Sequence, residues 1–246
     1  MKMQTNHSKY GRYGDQRGFT LVELVIALLV SLVIMAGVSS VFISHSRQYS
    51  QQDDIAAMQQ NLRGILLVMP AEFRVAGCDP RRASVGEILT ATETEFAFTA
   101  DISSHSPSHP NEGDGKVDGN DETIAYRFER AAGQATGVLR RSLKSGGFQP
   151  LADNIEKLEF NYILDDNEAG TTAPTAKDLS RGKIRAVQIS ILARAENPSS
   201  TPGFQHAGTF TTGSGKVWGA AGDPVPQDGH RRRLVVTTIQ LRNMAY

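Results

Sequence analysis

From Leu24 to Ile43 the chain reads LVIALLVSLVIMAGVSSVFI, without a single charged residue. About 20 apolar residues are enough to cross the hydrocarbon core of a bilayer as a helix. A helix that is apolar on every side has no face to turn toward water, so this run restricts the fold more than any other feature. Residues 1–18 ahead of it hold Lys2, Lys9, Arg12 and Arg17 against one acid, Asp15. That bias predicts a single-pass segment with its N-terminus in the cytoplasm and residues 47–246 outside. An ordinary secretory signal has a shorter apolar core, roughly 7–15 residues, followed by a small-residue cleavage site. The run here is too long for that.

The rest of the composition is that of a folded protein. The 246 residues hold 26 basic and 26 acidic side chains, and 39% are hydrophobic. Length fits one domain with a long appendage. A net charge of zero gives no footprint for nucleic-acid binding, and none is expected. Cys78 is the only cysteine, which excludes an intramolecular disulfide and a cysteine-based metal site. It is expected as a half-buried thiol.

Beyond Ile43 the helical pattern continues but becomes amphipathic. Ile55, Met58, Leu62, Ile65, Leu66, Met69, Phe73 and Ala76 recur at helical steps, with Gln51, Asp53, Gln60 and Arg63 opposite. Gly64 weakens this helix, Pro70 predicts a kink near Leu66–Pro70, and Gly77 is the expected stop. After Cys78 the period changes to two. Phe96 and Phe98; Ile124, Tyr126 and Phe128; Leu158, Phe160, Tyr162 and Leu164; Val187, Ile189, Ile191 and Ala193; and Val235, Thr237, Ile239 and Leu241 each alternate with a second set. Gly137–Leu143 is a weaker candidate strand. No long helical pattern separates these strands, so an antiparallel meander is expected rather than βαβ units. The expected fold is α+β: one long N-terminal helix, membrane-spanning and then amphipathic, packed on an antiparallel sheet. Residues 101–122, 165–182 and 197–231 read as loops, and there is no internal repeat.

The junction before the apolar run carries a family resemblance. Gly18-Phe19-Thr20-Leu21-Val22-Glu23 resembles the cleavage and methylation signal of type IV prepilins and type II secretion pseudopilins. The resemblance implies that a prepilin peptidase and N-methyltransferase cuts between Gly18 and Phe19 and methylates the new amino group of Phe19. Glu23 is the implied assembly residue. A carboxylate within the bilayer costs about 2.5–3.5 kcal/mol at a helix centre and less near an end. Pairing with the amino group of Phe19, on its own chain or a neighbour's, would offset that cost and set the register of subunits. Ala27 and Ser31, like Ala36 and Ser40, have the spacing that lets helices approach closely.

Three stretches narrow the resemblance to PilW-type minor pilins: residues 47–77, Gln149–Tyr162, and His230–Asn243 with its arginines, Thr-Thr strand and Leu-Arg-Asn ending. Type II secretion pseudopilins of the GspJ kind are similar, and a membrane-tethered ligand- or surface-binding module is an alternative of another class. Four segments are expected: a leader over 1–18, an apolar membrane and assembly helix over 19–46, its amphipathic continuation over 47–77, and a β-rich head over 78–246. The resemblance implies an inner-membrane protein with a periplasmic head that passes to the pilus or cell surface. Other minor pilins and the major pilin, met through the N-terminal helix, are the implied partners, with a tip adhesin as a further one. The implied task is initiation of the pilus or a place at its tip.

Little else in the sequence carries chemistry. The stretch NEGDGKVDGNDE, residues 111–122, makes Glu112, Asp114, Asp118 and Asp121 candidate calcium ligands. The first EF-hand position would be Pro110, which has no side-chain oxygen, and the last an Asp rather than a Glu. His105 and His109 lie four apart in a Ser/Pro loop without a third ligand. Arg231, Arg232 and Arg233 read as the solvated start of the last strand. No nucleophile–base pair or carboxylate dyad stands at a recognisable spacing, and neither a catalytic residue nor a cofactor is expected.

Overall fold

In the computed structural model the described residues are 18–103, 112–144, 146–201, 203–206, 208–220, 223 and 225–244, with only the backbone at 167–169. The leader through Arg17 and the pair His105 and His109 lie outside them. The chain forms two compact units, the first reaching to Gln48 and the second running from Tyr49 to the C-terminus.

One helix, α1 (Leu21–Phe73), contains the whole apolar run and its amphipathic continuation. It runs through Pro70, which removes one backbone donor but does not end the helix. It stops three residues earlier than the sequence suggests. Val75 and Ala76 donate to the carbonyls of Glu72 and Phe73 in a tightened last turn. Gly77 follows with φ +74, and a Cβ there would lie 2.2 Å from Met244 Sδ. Glycine is therefore required twice over at this corner, by its left-handed backbone and by the close approach.

In the second unit, Met58, Leu62, Ile65, Met69 and Phe73 form the buried stripe of α1. Leu66, expected in that stripe, is 36% exposed. Ile65 takes the core position beside it, because the stripe is too narrow for two adjacent residues.

Among the described residues ten strands follow: β1 (Ile88–Ala91), β2 (Glu95–Thr99), β3 (Thr123–Glu129), β4 (Gly137–Leu143), β5 (Gly147–Leu164), β6 (Asn167–Thr171), β7 (Ile184–Pro198), β8 (Phe210–Thr211), β9 (Val217–Trp218) and β10 (His230–Gln240). A short 3₁₀ turn, Arg242–Met244, comes last. The main sheet runs β1-β2-β3-β4-β5-β7-β10, antiparallel throughout, with β6 paired to β5. β8 and β9 pair with each other as a separate hairpin. The loops expected over 165–182 and 197–231 thus contain strands. β6 returns directly onto β5, and the β8–β9 hairpin rises between β7 and β10.

Phe73 is the centre of the core. Its ring meets Phe96 at 4.8 Å, Tyr126 at 5.3 Å and Phe98 at 5.8 Å, each edge to face. Such pairs add about 0.5–1.5 kcal/mol each beyond the area they bury. Val187, Ile189, Ile191 and Ala193 line the same core from β7. The alternate residues of β7 face outward, where Leu192 joins Trp218 and Val225 in a second, smaller cluster.

Candidate processing and assembly site

Gly18, Phe19 and Thr20 precede α1 and are not helical. Helix starts leave backbone N–H groups without partners. Here Thr20 and Glu23 satisfy two of them reciprocally. The Glu23 amide donates to Thr20 Oγ1 at 3.2 Å, and the Thr20 amide donates to Glu23 Oε2 at 2.9 Å. The Thr20 hydroxyl also donates to that carboxylate oxygen, at 3.0 Å. This is a capping box, and its Thr-x-x-Glu spacing is already present in the sequence. Glu23 therefore has a local partner that the sequence reading did not assign.

The peptide bond between Gly18 and Phe19 lies outside the helix and ahead of its cap. A Cβ built on Gly18 would meet nothing within 4 Å among the described residues, and its backbone is not left-handed. The described fold gives no steric reason for glycine there.

Every residue from Gly18 to Ser50 is exposed. An exposed apolar surface of this extent marks an interface with lipid or with other chains. α1 is long and apolar enough to cross a membrane. Ser31 Oγ donates to the Ala27 carbonyl at 2.7 Å, which satisfies its hydroxyl inside the helix. Ala36 and Ser40 also lie on this exposed segment, and a Cβ at the neighbouring Gly37 would meet nothing within 4 Å.

The acidic loop is built differently from a cation cage. Buried Asp101 accepts the amides of Asp114 and Gly115, both at 2.9 Å. Buried Glu122 accepts the amides of Ser103 at 3.1 Å and Gly119 at 2.6 Å. These two carboxylates organise the loop by binding its own backbone. Of the candidate ligands, Glu112 and Asp121 are exposed and Asp114 caps the amide of Lys116 at 3.0 Å. Asp118 is exposed as well. Among the described residues no group of three metal-ligating side chains is gathered in one place.

Cys78 is a half-buried free thiol. Burial raises its pKa, and the nearby carboxylates of Asp101 and Asp79 add to the effect. A thiol held protonated is a poor nucleophile.

The arginine run departs from expectation. Arg233 is exposed, but the Arg232 side chain is fully buried. Its Nε donates to Glu156 Oε2 at 2.6 Å, and its two terminal nitrogens donate to the Asp228 carboxylate at 2.8 and 3.0 Å. Arg231 stacks over the Phe204 ring with its guanidinium carbon 4.6 Å from the centroid. Three consecutive arginines look alike in sequence. The strand alternation puts the middle one on the face it shares with Leu234, buried against carboxylates on β5 and in the turn before β10.

The comparisons with known proteins fall on both ends of the chain. The family model described as Type IV Pilus-assembly protein W matches residues 129–243. The one described as Prokaryotic N-terminal methylation motif matches residues 14–39. Gln149–Tyr162 and His230–Asn243 lie inside the first match, and residues 47–77 lie in neither. No curated protein matches the chain. Among solved structures, a Type IV-like pilin from Thermus thermophilus aligns over 76% of this chain and 97% of its own. Its identity is 18% and its TM-score 0.43.

Proposed function

We propose that this chain, similar to Type IV Pilus-assembly protein W over residues 129–243 and to the prokaryotic N-terminal methylation motif over residues 14–39, is a minor pilin processed at Gly18. A prepilin peptidase cuts between Gly18 and Phe19, and Phe19 is then N-methylated. The mature chain takes part in starting the pilus or capping its tip, beside other minor pilins and the major pilin. Its role is structural rather than enzymatic, as that of a pilin is.

The observation that carries this reading is the order of features at the N-terminus. A non-helical Gly18–Phe19 bond is followed by a capped helix start and then by an apolar segment exposed on all sides. A peptidase requires a bond free of helical hydrogen bonding, and the bond meets that requirement. The glycine, which the described fold does not need sterically, is then a requirement of the peptidase. The apolar segment serves first as the membrane anchor and then as the packing surface among subunits. The basic leader favours a cytoplasmic N-terminus and an extracytoplasmic head.

Mass spectrometry of the mature N-terminus, with pilus counts in a deletion strain, tests the proposal. Methylated Phe19 as first residue and loss of pili are expected. An intact Met1 start, or normal piliation with lost protein secretion, would sink it.

A further inference from the structure

The outer face of the sheet, away from α1, is covered by the β8–β9 hairpin. Trp218 is 1% exposed and packs with Leu192 and Val225, flanked by Phe210 and Leu234. The Gly213 amide in the hairpin turn donates to Ser190 Oγ on β7 at 2.9 Å. Lys216 pairs with Glu93 at 2.9 Å, and Lys157 on β5 pairs with Asp223 just after the hairpin.

His206 joins this cover to the buried ion network beneath it. Its ring stacks on Phe210, with centroids 5.1 Å apart and planes 6° from parallel. Its backbone amide donates to the Asp228 carbonyl at 2.8 Å. Its ring Nε2 is buried and has no hydrogen-bond partner. A neutral imidazole tolerates such a place at modest cost. An imidazolium brings a full charge and a donor there, where desolvation is expensive.

The groups around it decide the sign. β10 presents Arg232 and His230, β5 presents Glu156, β7 presents Arg194, and the turn before β10 presents Asp228. Glu156 and Asp228 are already bound by Arg232. Burial first, and then the Arg232 guanidinium, hold the imidazole below its usual range, outweighing the pull of Glu156 and Asp228.

We propose that His206 is an acid-sensitive latch on the β8–β9 hairpin. Protonation loosens the hairpin from the sheet and uncovers the apolar patch around Leu192 and Trp218. A base whose folded-state pKa is depressed supports the docked state fully above its ordinary value, about 6.5. That support is lost as pH falls below this value toward the folded one.

The chain contains one tryptophan, Trp218, so its fluorescence reports the hairpin directly. Emission of the full chain in detergent is followed from about pH 7.5 to about pH 5, the range in which histidine titrates. A red shift with unchanged far-ultraviolet circular dichroism is expected. His206→Gln and His206→Phe should both lack it. The phenylalanine keeps the stack on Phe210 and carries the test if the glutamine variant does not fold. No red shift before the secondary structure is lost overturns the proposal. So does the same midpoint in the variants, which would assign the response to Glu93, Glu156, Glu159, Asp223 or Asp228.

Discussion

Glu72 and Arg141 face each other in a two-pronged ion pair that ties the last turn of α1 to β4. Arg141 Nε donates to Glu72 Oε2 at 2.9 Å, and a second guanidinium nitrogen donates to Oε1. The Tyr126 hydroxyl donates to the same Oε2. Tyr126 and Arg141 sit directly opposite in the β3–β4 register, so one helix carboxylate bridges two adjacent strands. Burial, and then Glu72, push the Tyr126 phenol far above its usual range, so it remains a donor.

Glu72→Ala should therefore cost more than a surface ion pair does. It leaves a buried hydroxyl without an acceptor and a half-buried guanidinium without a counter-ion. A loss of about 2 kcal/mol is expected. Arg141→Lys keeps the charge but not the fork and should cost about 1 kcal/mol. Thermal unfolding in detergent measures both, and a Glu72→Ala midpoint equal to the parent's would contradict the bridging role.

The capping box separates two roles of Glu23. Glutamine also serves at this position of a capping box, so Glu23→Gln keeps the cap and removes the charge. If the charge pairs with the amino group of processed Phe19, Glu23→Gln and Glu23→Ala should both insert normally and enter pili poorly. Thr20→Ala loses the cap, at about 1 kcal/mol, and keeps the charge. It should fray the first turn in hydrogen exchange with a smaller effect on incorporation. Normal incorporation of Glu23→Gln would transfer the whole role to capping.

Arg232→Met should be among the most damaging substitutions in the head. It strands the buried Glu156 and costs about 3–5 kcal/mol. Pairing it with Glu156→Leu removes both charges and should restore a substantial part of the loss. A double-mutant cycle in chemical denaturation reads the coupling, and strict additivity would show that the two side chains act independently.

Asp79 gives the turn after α1 a pH dependence. Burial alone would raise its pKa, but the amides of Ala83 and Ser84, both at 2.8 Å, and Arg181 at 3.0 Å outweigh it, and the pKa is lowered. A depressed carboxylate supports the fold above its ordinary value, about 3.9, and that support is lost as pH falls through the folded value. The parent should therefore lose stability more steeply than Asp79→Asn on acidification below about pH 4. Parallel curves would rule out the contribution.

The sequence made the helix and the long strands legible because their core-facing apolar residues recur at each element's own period, even where the alternate residues, such as Ser190 and Leu192 on β7, are buried too. Val187, Ile189, Ile191 and Ala193 alternate, and all four are buried. β1, with four residues, and β8 and β9, with two each, are too short for any period to register. Leu66 and Ile65 are adjacent and equally apolar, and only the width of the helix–sheet contact chooses between them. Arg232 was illegible for another reason. Its acceptor Glu156 lies 76 residues away, and no local pattern marks such a pairing. The junction at Gly18–Glu23 was readable because its residues are adjacent, although the cap hidden in the same spacing was read as an assembly charge alone.

The strand order has a consequence for how the head is made. From β1 to β5 each strand lies beside the one before it, and β7 and β10 extend the same edge. A chain emerging N-terminus first can thus add each new strand to an edge that already exists. Each connection closes onto the neighbouring strand rather than across the sheet, although those over 100–122 and 199–229 are long and carry the larger closure costs. The growing edge stays open until β10 arrives, so the last strand to emerge completes a sheet whose core is shared with Met58–Phe73 of α1, from the other end of the sequence.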